Sequence, residues 1–170
     1  MKLTVHRGDI TKMGVDAIVN AANPSLLGGG GVDGAIHAAA GPELKLACGK
    51  LHGCLVGEAK ITAAFKLPAT YIIHTVGPIW QGGNEDEAQM LSSCYRNCLR
   101  LCPPHGIRSI AFPSISCGAY GYPPAEAARI AVTTVCEYNT ELYGGAEHVY
   151  FVAFSTEMEQ IYRDQVNEIS

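Results

Sequence analysis

The chain has 170 residues, 48% of them hydrophobic and 16% charged, a balance ordinary for one soluble globular domain. Its formal net charge of −4 argues against general nucleic-acid binding, which uses Lys and Arg to neutralise phosphates. No stretch approaches the roughly 20 uninterrupted apolar residues that cross a bilayer, so no membrane partner is expected.

Taken in chain order, the first element is an alternating strand at Leu3–Arg7, entered directly from Met1 and Lys2 without an apolar leader. Seven cysteines, an odd number, read as free thiols rather than a disulfide framework. A cytoplasmic monomer is expected, with residues 1–170 forming a single domain.

Further strands are predicted at Ala17–Asn20, Ala59–Ala63, Tyr71–Val76, Ser109–Phe112 and His148–Ala153, where β-branched and apolar residues cluster between turn signals. Between them the spacing predicts helices over Val32–Ala40, Glu43–Leu51, Glu87–Leu101, Ala125–Tyr138 and Thr156–Glu168. Thr156, three residues before Glu159, reads as the start of a capping box. This alternation implies an α/β fold with a largely parallel sheet covered on both faces. Ligands of such sheets gather beyond the carboxyl ends of the strands. The unusual residues follow strand ends too.

The densest of these signals is Leu26 to His37, with the consecutive glycines Gly28, Gly29, Gly30 and Gly31. A glycine run costs conformational entropy, and one reason to keep it is a loop whose amides approach an anion just before a helix N-terminus. The alternative is a flexible surface turn. A second small-residue loop, Ser114 to Tyr122, follows a strand and precedes a helix. Neither loop carries Lys or Arg, so a clasped diphosphate would be held by N–H groups and helix ends. The frame Gly29-Gly30-Gly31-Val32-Asp33-Gly34 formally satisfies G-x-G-x-x-G, but it starts well after its strand, unlike a dinucleotide-binding turn. No P-loop and no zinc-deaminase signature occur.

Gly8-Asp9-Ile10-Thr11, Val15 to Asn23, the glycine run, "YIIHTVGP" (Tyr71–Pro78) and "FPSISCGAYGYP" (Phe112–Pro123) together resemble the macrodomain signature, in order and over nearly the whole chain. The form Gly-Gly-Gly-Val-Asp-Gly-Ala-Ile-His is similar to the MacroD-type branch of O-acetyl-ADP-ribose deacetylases and mono-ADP-ribosyl hydrolases. The resemblance implies a three-layer α/β/α fold with a central mixed, largely parallel sheet. It implies ADP-ribose, with O-acetyl-ADP-ribose or ADP-ribosylated protein as substrate, and neither cofactor nor metal; a non-catalytic ADP-ribose reader and an ADP-ribose 1''-phosphate phosphatase are the alternatives in the same pocket.

Residue by residue, Asp9 and Ile10 match the adenine contact, with a turn-capping Asp as the alternative. Asn23 matches the residue holding the distal ribose, with a turn residue before Pro24 as the alternative, and Asp33 the one that positions water; an N-cap is the rival role for Asp33. Gly30, Gly31 and Val32 match the first diphosphate loop, and Ser116, Cys117, Gly118, Ala119 and Tyr120 the second. Phe154 matches the aromatic that packs on adenine, with the core as alternative. Cys117 stands where the branch usually has Thr, which leaves the amide but removes a hydroxyl; as a nucleophile it lacks an evident His partner. His37, four residues after Asp33, can reach it on one helix face. His74 reads as a hydrogen-bonded core histidine, and Cys94, Cys98 and Cys102 as one buried helical face.

Overall fold

Along β2 (Ala17–Ala21), Ala17 and Val19 face one side of a sheet and Ile18 the other, and all three are fully buried. A strand apolar on both faces belongs inside a sheet with helices on either side. The computed structural model, which describes residues 1–138 and 143–169, has that arrangement. Its six strands are β1 (Lys2–Arg7), β2, β3 (Ala59–Ala63), β4 (Tyr71–Thr75), β5 (Ser109–Phe112) and β6 (His148–Ala153). They lie in the order β1-β6-β5-β2-β4-β3. Only the edge strand β3 runs antiparallel to its neighbour, so the sheet is mixed and largely parallel.

The helices are α1 (Gly31–Ala40), α2 (Glu43–Gly49), α3 (Glu87–Arg100), α4 (Pro124–Glu137) and α5 (Thr156–Ile169). Ile36 and Ala40 of α1 and Leu44 and Cys48 of α2 pack with Ile18, Ile72, Ala111 and Val152 on one face. On the other, α3, α4 and α5 bring Leu91, Tyr95, Val132, Val135 and Tyr162 against Val19, Ile73, Phe112 and Phe151. Each large side chain so buried contributes about 1.5–3 kcal/mol. Cys94, Cys98 and Cys102 belong to this second core; burial pushes the Cys94 thiol up to about 11 and Cys102 to about 12. They pack as small apolar groups.

Element boundaries fall within two residues of the sequence expectation. The capping box is a correction. Ser155 supplies the cap of α5: its Oγ accepts from the Met158 amide at 3.1 Å. Thr156 is already the first helical residue, one position too late for its hydroxyl to play that part. No helix among the described residues is long and apolar enough to cross a membrane. The carboxyl ends of β2, β5 and β6 open together on one rim, which positions the site.

Candidate active site

Past Ala21 the chain leaves β2 and turns at Asn23, whose side chain organises the entry to the glycine run. Its Oδ1 accepts from the Ser25 amide (3.1 Å), the Ser25 hydroxyl (2.6 Å) and the Leu26 amide (3.2 Å). Its Nδ2 donates to the Gly28 carbonyl at 2.8 Å, pinning the first residue of the run. Gly28 (φ 100°) and Gly31 (φ 58°) adopt left-handed backbone that other residues rarely tolerate. Gly30 is the N-cap of α1 and offers no side chain, so the first amides of the helix stay open to a ligand.

Asp33 is therefore not the cap. It sits in the first turn of α1, buried to 4% exposure, and turns toward the sheet. Its Oδ1 accepts from Nδ2 of Asn20 at 2.9 Å and lies 3.5 Å from Nε2 of His37. A Cβ built on Gly29 would meet Oδ2 at 3.1 Å and the Asn23 amide nitrogen at 3.3 Å. The acid and the amide thus close around Gly29, and a side chain there would push one of them aside by a few tenths of an ångström.

The second loop follows β5. Ser116 holds φ 66°, with its hydroxyl buried, unpartnered and packed over Gly77. The Cys117 amide turns back onto the Ser114 carbonyl at 3.4 Å. Burial pushes the Cys117 thiol up to about 11, so the thiolate needed of a nucleophile is scarce at neutral pH. Tyr120 is braced from outside: the Trp80 amide donates to its carbonyl at 2.8 Å, and the Trp80 ring packs on Tyr122 at 4.7 Å. That Trp80 loop is gathered by Glu87, which accepts from the amides of Gln81 (2.8 Å), Gly83 (2.9 Å) and Glu85 (2.6 Å). Burial opposes the charge, but these amides outweigh it and hold the Glu87 carboxyl down at about 2.

Between the two loops lies a cavity of about 740 Å³. Asn23, Asp33, Gly30, Gly31, Val32, Ser116, Cys117, Gly118, Ala119, Tyr120 and Phe154 all line it. Asp9 and Ile10 do not. Ile10 is fully buried, and Asp9 caps a short 3-10 turn, its Oδ1 accepting from the Thr11 amide (2.9 Å) and hydroxyl (2.6 Å). Those bonds hold the Asp9 carboxyl below its ordinary value. Met158 and Ile161 of α5, which sequence reading gave no role, line an apolar wall beside the 63%-exposed Phe154 ring. Asn20 was also missed; the signal was an amide ending an otherwise apolar strand.

The lining contains Asp33 and Glu157 as its charged side chains and no Lys or Arg. A phosphorylated ligand there must be held by main-chain amides and the N-terminus of α1.

Residues 19–131 match the family model described as "Macro domain". A "Macro domain-containing protein" of Ralstonia nicotianae is 59% identical over 98% of this chain and 95% of its own length. A protein of Salmonella newport named "O-acetyl-ADP-ribose deacetylase" is 55% identical over 95% of this chain and 92% of its own. Among solved structures, a mutant of the Oceanobacillus iheyensis macrodomain with ADPR superposes with a TM-score of 0.91. It is 46% identical and covers 97% of this chain and 91% of that one. With identity at this level over nearly the whole chain, and the family model covering β3, β4, β5, both loops and Asp33, the chain belongs to the Macro domain family.

Proposed function

We propose that this protein is a hydrolase that binds ADP-ribose in the cavity and removes an acyl group or an acidic amino-acid side chain from its distal ribose. The observation that carries the reading is the placement of Asp33. Its Oδ1 is occupied by Asn20, while Oδ2 lies at the cavity wall beside Gly29, next to the loops suited to a diphosphate. A protein that only held the ligand would have no use for a carboxylate with one oxygen committed and the other left for water. The relative named as a deacetylase and the neighbour solved with ADPR support the same reading.

In this scheme the amides of Gly30, Gly31 and Val32 and those of Ser116, Gly118, Ala119 and Tyr120 clasp the diphosphate, the Cys117 amide being turned onto the Ser114 carbonyl. Adenine lies along Phe154, Met158 and Ile161 and extends beyond the cavity lining toward the Asp9 carboxylate. The free oxygen of Asp9 accepts from the exocyclic amine while its other oxygen stays with Thr11. The distal ribose reaches Asn23. A water on Asp33 Oδ2 attacks the acetyl carbonyl of O-acetyl-ADP-ribose; its proton passes by way of a ligand phosphate to the ribose oxygen as the acyl C–O bond breaks, and acetate and ADP-ribose leave. When the substrate is an ADP-ribosylated Asp or Glu, the same water attacks the ribosyl carbon, whose C–O bond to the side chain breaks and releases the carboxylate.

The test is acetate release from O-acetyl-ADP-ribose by wild type and Asp33→Ala, with calorimetry of ADP-ribose on both. Loss of the positioned water is expected to cut turnover by ~10²–10⁴-fold with little change in affinity. Equal turnover would remove Asp33 from the chemistry, and tight ADP-ribose binding with no turnover by wild type would make the protein a reader.

A further inference from the structure

Asn20 and His74 are direct partners in the parallel register of β2 and β4, and both side chains lie on the α1–α2 face of the sheet. Both are fully buried. The two amide protons of Asn20 are both committed: Nδ2 lies 2.9 Å from Asp33 Oδ1 and 3.1 Å from His74 Nδ1. Asn20 Oδ1, by contrast, is buried and has no partner. An amide that leaves its oxygen unsatisfied is being held that way round by its neighbours.

We propose that His74 is a positioning residue for hydrolysis: by presenting an unprotonated Nδ1 to Asn20 it fixes which end of that amide faces Asp33. The inference rests on the hydrolase reading above. Were the proton on Nδ1, it would seek Asn20 Oδ1, the amide would rotate, and a carbonyl oxygen would face the Asp33 carboxylate. Asp33 would lose its donor, and the two carboxylate oxygens would no longer be distinct. The proton therefore belongs on Nε2, which faces the Thr62 hydroxyl at 2.9 Å and the Cys48 thiol at 3.7 Å. A hydroxyl accepts as readily as it donates, so Thr62 accommodates this tautomer.

The surroundings keep the ring neutral. Burial first, and the neighbouring His37 second, hold His74 down at about 4. Around it stand Cys48 from α2, Asp33 and His37 from α1, Asn20 from β2, and Thr62 with Lys60 from β3. The Lys60 ammonium is turned away, donating to the carbonyls of Leu51 and Gly53. The hydrogen-bond partners of His74 among the described residues, Asn20, Cys48 and Thr62, do not line the cavity, so its route to the reaction is through Asn20 to Asp33.

Two measurements decide it. In 15N-labelled wild type, the imidazole shifts and couplings of His74, assigned by their loss in His74→Asn, should show a bare Nδ1 and a protonated Nε2. The reverse tautomer overturns the proposal whatever the activity. The second measurement is steady-state hydrolysis with ADP-ribose affinity for His74→Leu and His74→Asn. The amide oxygen of Asn stands the same number of bonds from Cα as Nδ1 and restores the acceptor. His74→Leu is expected to lose roughly 10- to 100-fold in kcat at near-normal affinity, and His74→Asn to recover most of it. Equal losses in both variants, or a folded His74→Leu with full kcat, would overturn the proposal. If His74→Leu does not fold, the wild-type tautomer decides. A wild type inert toward O-acetyl-ADP-ribose would sink the hydrolase reading instead, and the tautomer result would still stand on its own.

Discussion

Asn20 reaches across from the sheet to donate 2.9 Å to Oδ1 of Asp33 on α1, a bond between two buried side chains. It makes the two oxygens of one carboxylate unequal, one tied to the core and one left at the cavity wall. Replacing the amide with a side chain of similar size, Asn20→Leu, takes from Asp33 Oδ1 its hydrogen-bond donor, since His37 Nε2, 3.5 Å away, makes no hydrogen bond to it. The buried acceptor is left unsatisfied, and a stability loss of about 1–3 kcal/mol is expected in urea titration. Turnover should fall with it, since Asp33 is then free to rotate. Full activity in this variant would show that the orientation of Asp33 is set elsewhere.

Gly34 tests the shape of the first loop. A Cβ there would lie 2.5 Å from the Gly29 carbonyl oxygen, a main-chain atom that cannot swing aside. Gly34→Ala must push the glycine run outward, at about 1–3 kcal/mol of overpacking. The cost falls on the loop proposed to clasp the diphosphate, so calorimetry should record weaker ADP-ribose binding while the melting temperature drops only modestly. Unaltered affinity would mean the loop relaxes without consequence for the ligand.

Glu87 predicts a pH dependence. Its carboxyl is held down at about 2 against an ordinary value of 4.5. A depressed folded-state value stabilises the protein above the ordinary value, and that stabilisation is lost as pH falls from about 4.5 toward 2. Melting curves of wild type and Glu87→Gln should therefore differ most near neutrality and converge in acid. Because Glu87 gathers the Trp80 loop that braces Tyr120, the variant should also bind ADP-ribose more weakly at pH 7. Parallel melting curves across the whole range would leave the loop without this anchor.

Thiol labelling checks the second loop. With Cys117 pushed up to about 11, roughly one molecule in 3,000 carries its thiolate at pH 7.5. Cys136, exposed on α4, is open to reagent. Iodoacetamide followed by peptide mass spectrometry should find Cys136 modified first and Cys117 slow. Rapid labelling of Cys117 would bring back its role as a nucleophile.

What the sequence by itself determined was whatever rests on local chemistry. Period and turn residues placed the strands and helices, because side-chain alternation and the glycine and proline signals act within a few residues. The glycine run before α1 and the small-residue loop after β5 likewise marked the two loops that line the cavity, and motif order carried the family. The tertiary structure decided what depends on residues distant in the chain. Asn20 and His74 are 54 positions apart and meet only because β2 and β4 pair in one register. That register turns an amide at a strand end into the donor that sorts the oxygens of Asp33. That Asp33 is not the cap of α1, and that Ser155 rather than Thr156 caps α5, hinged on where a helix begins to within one residue, which backbone geometry resolves and periodicity does not.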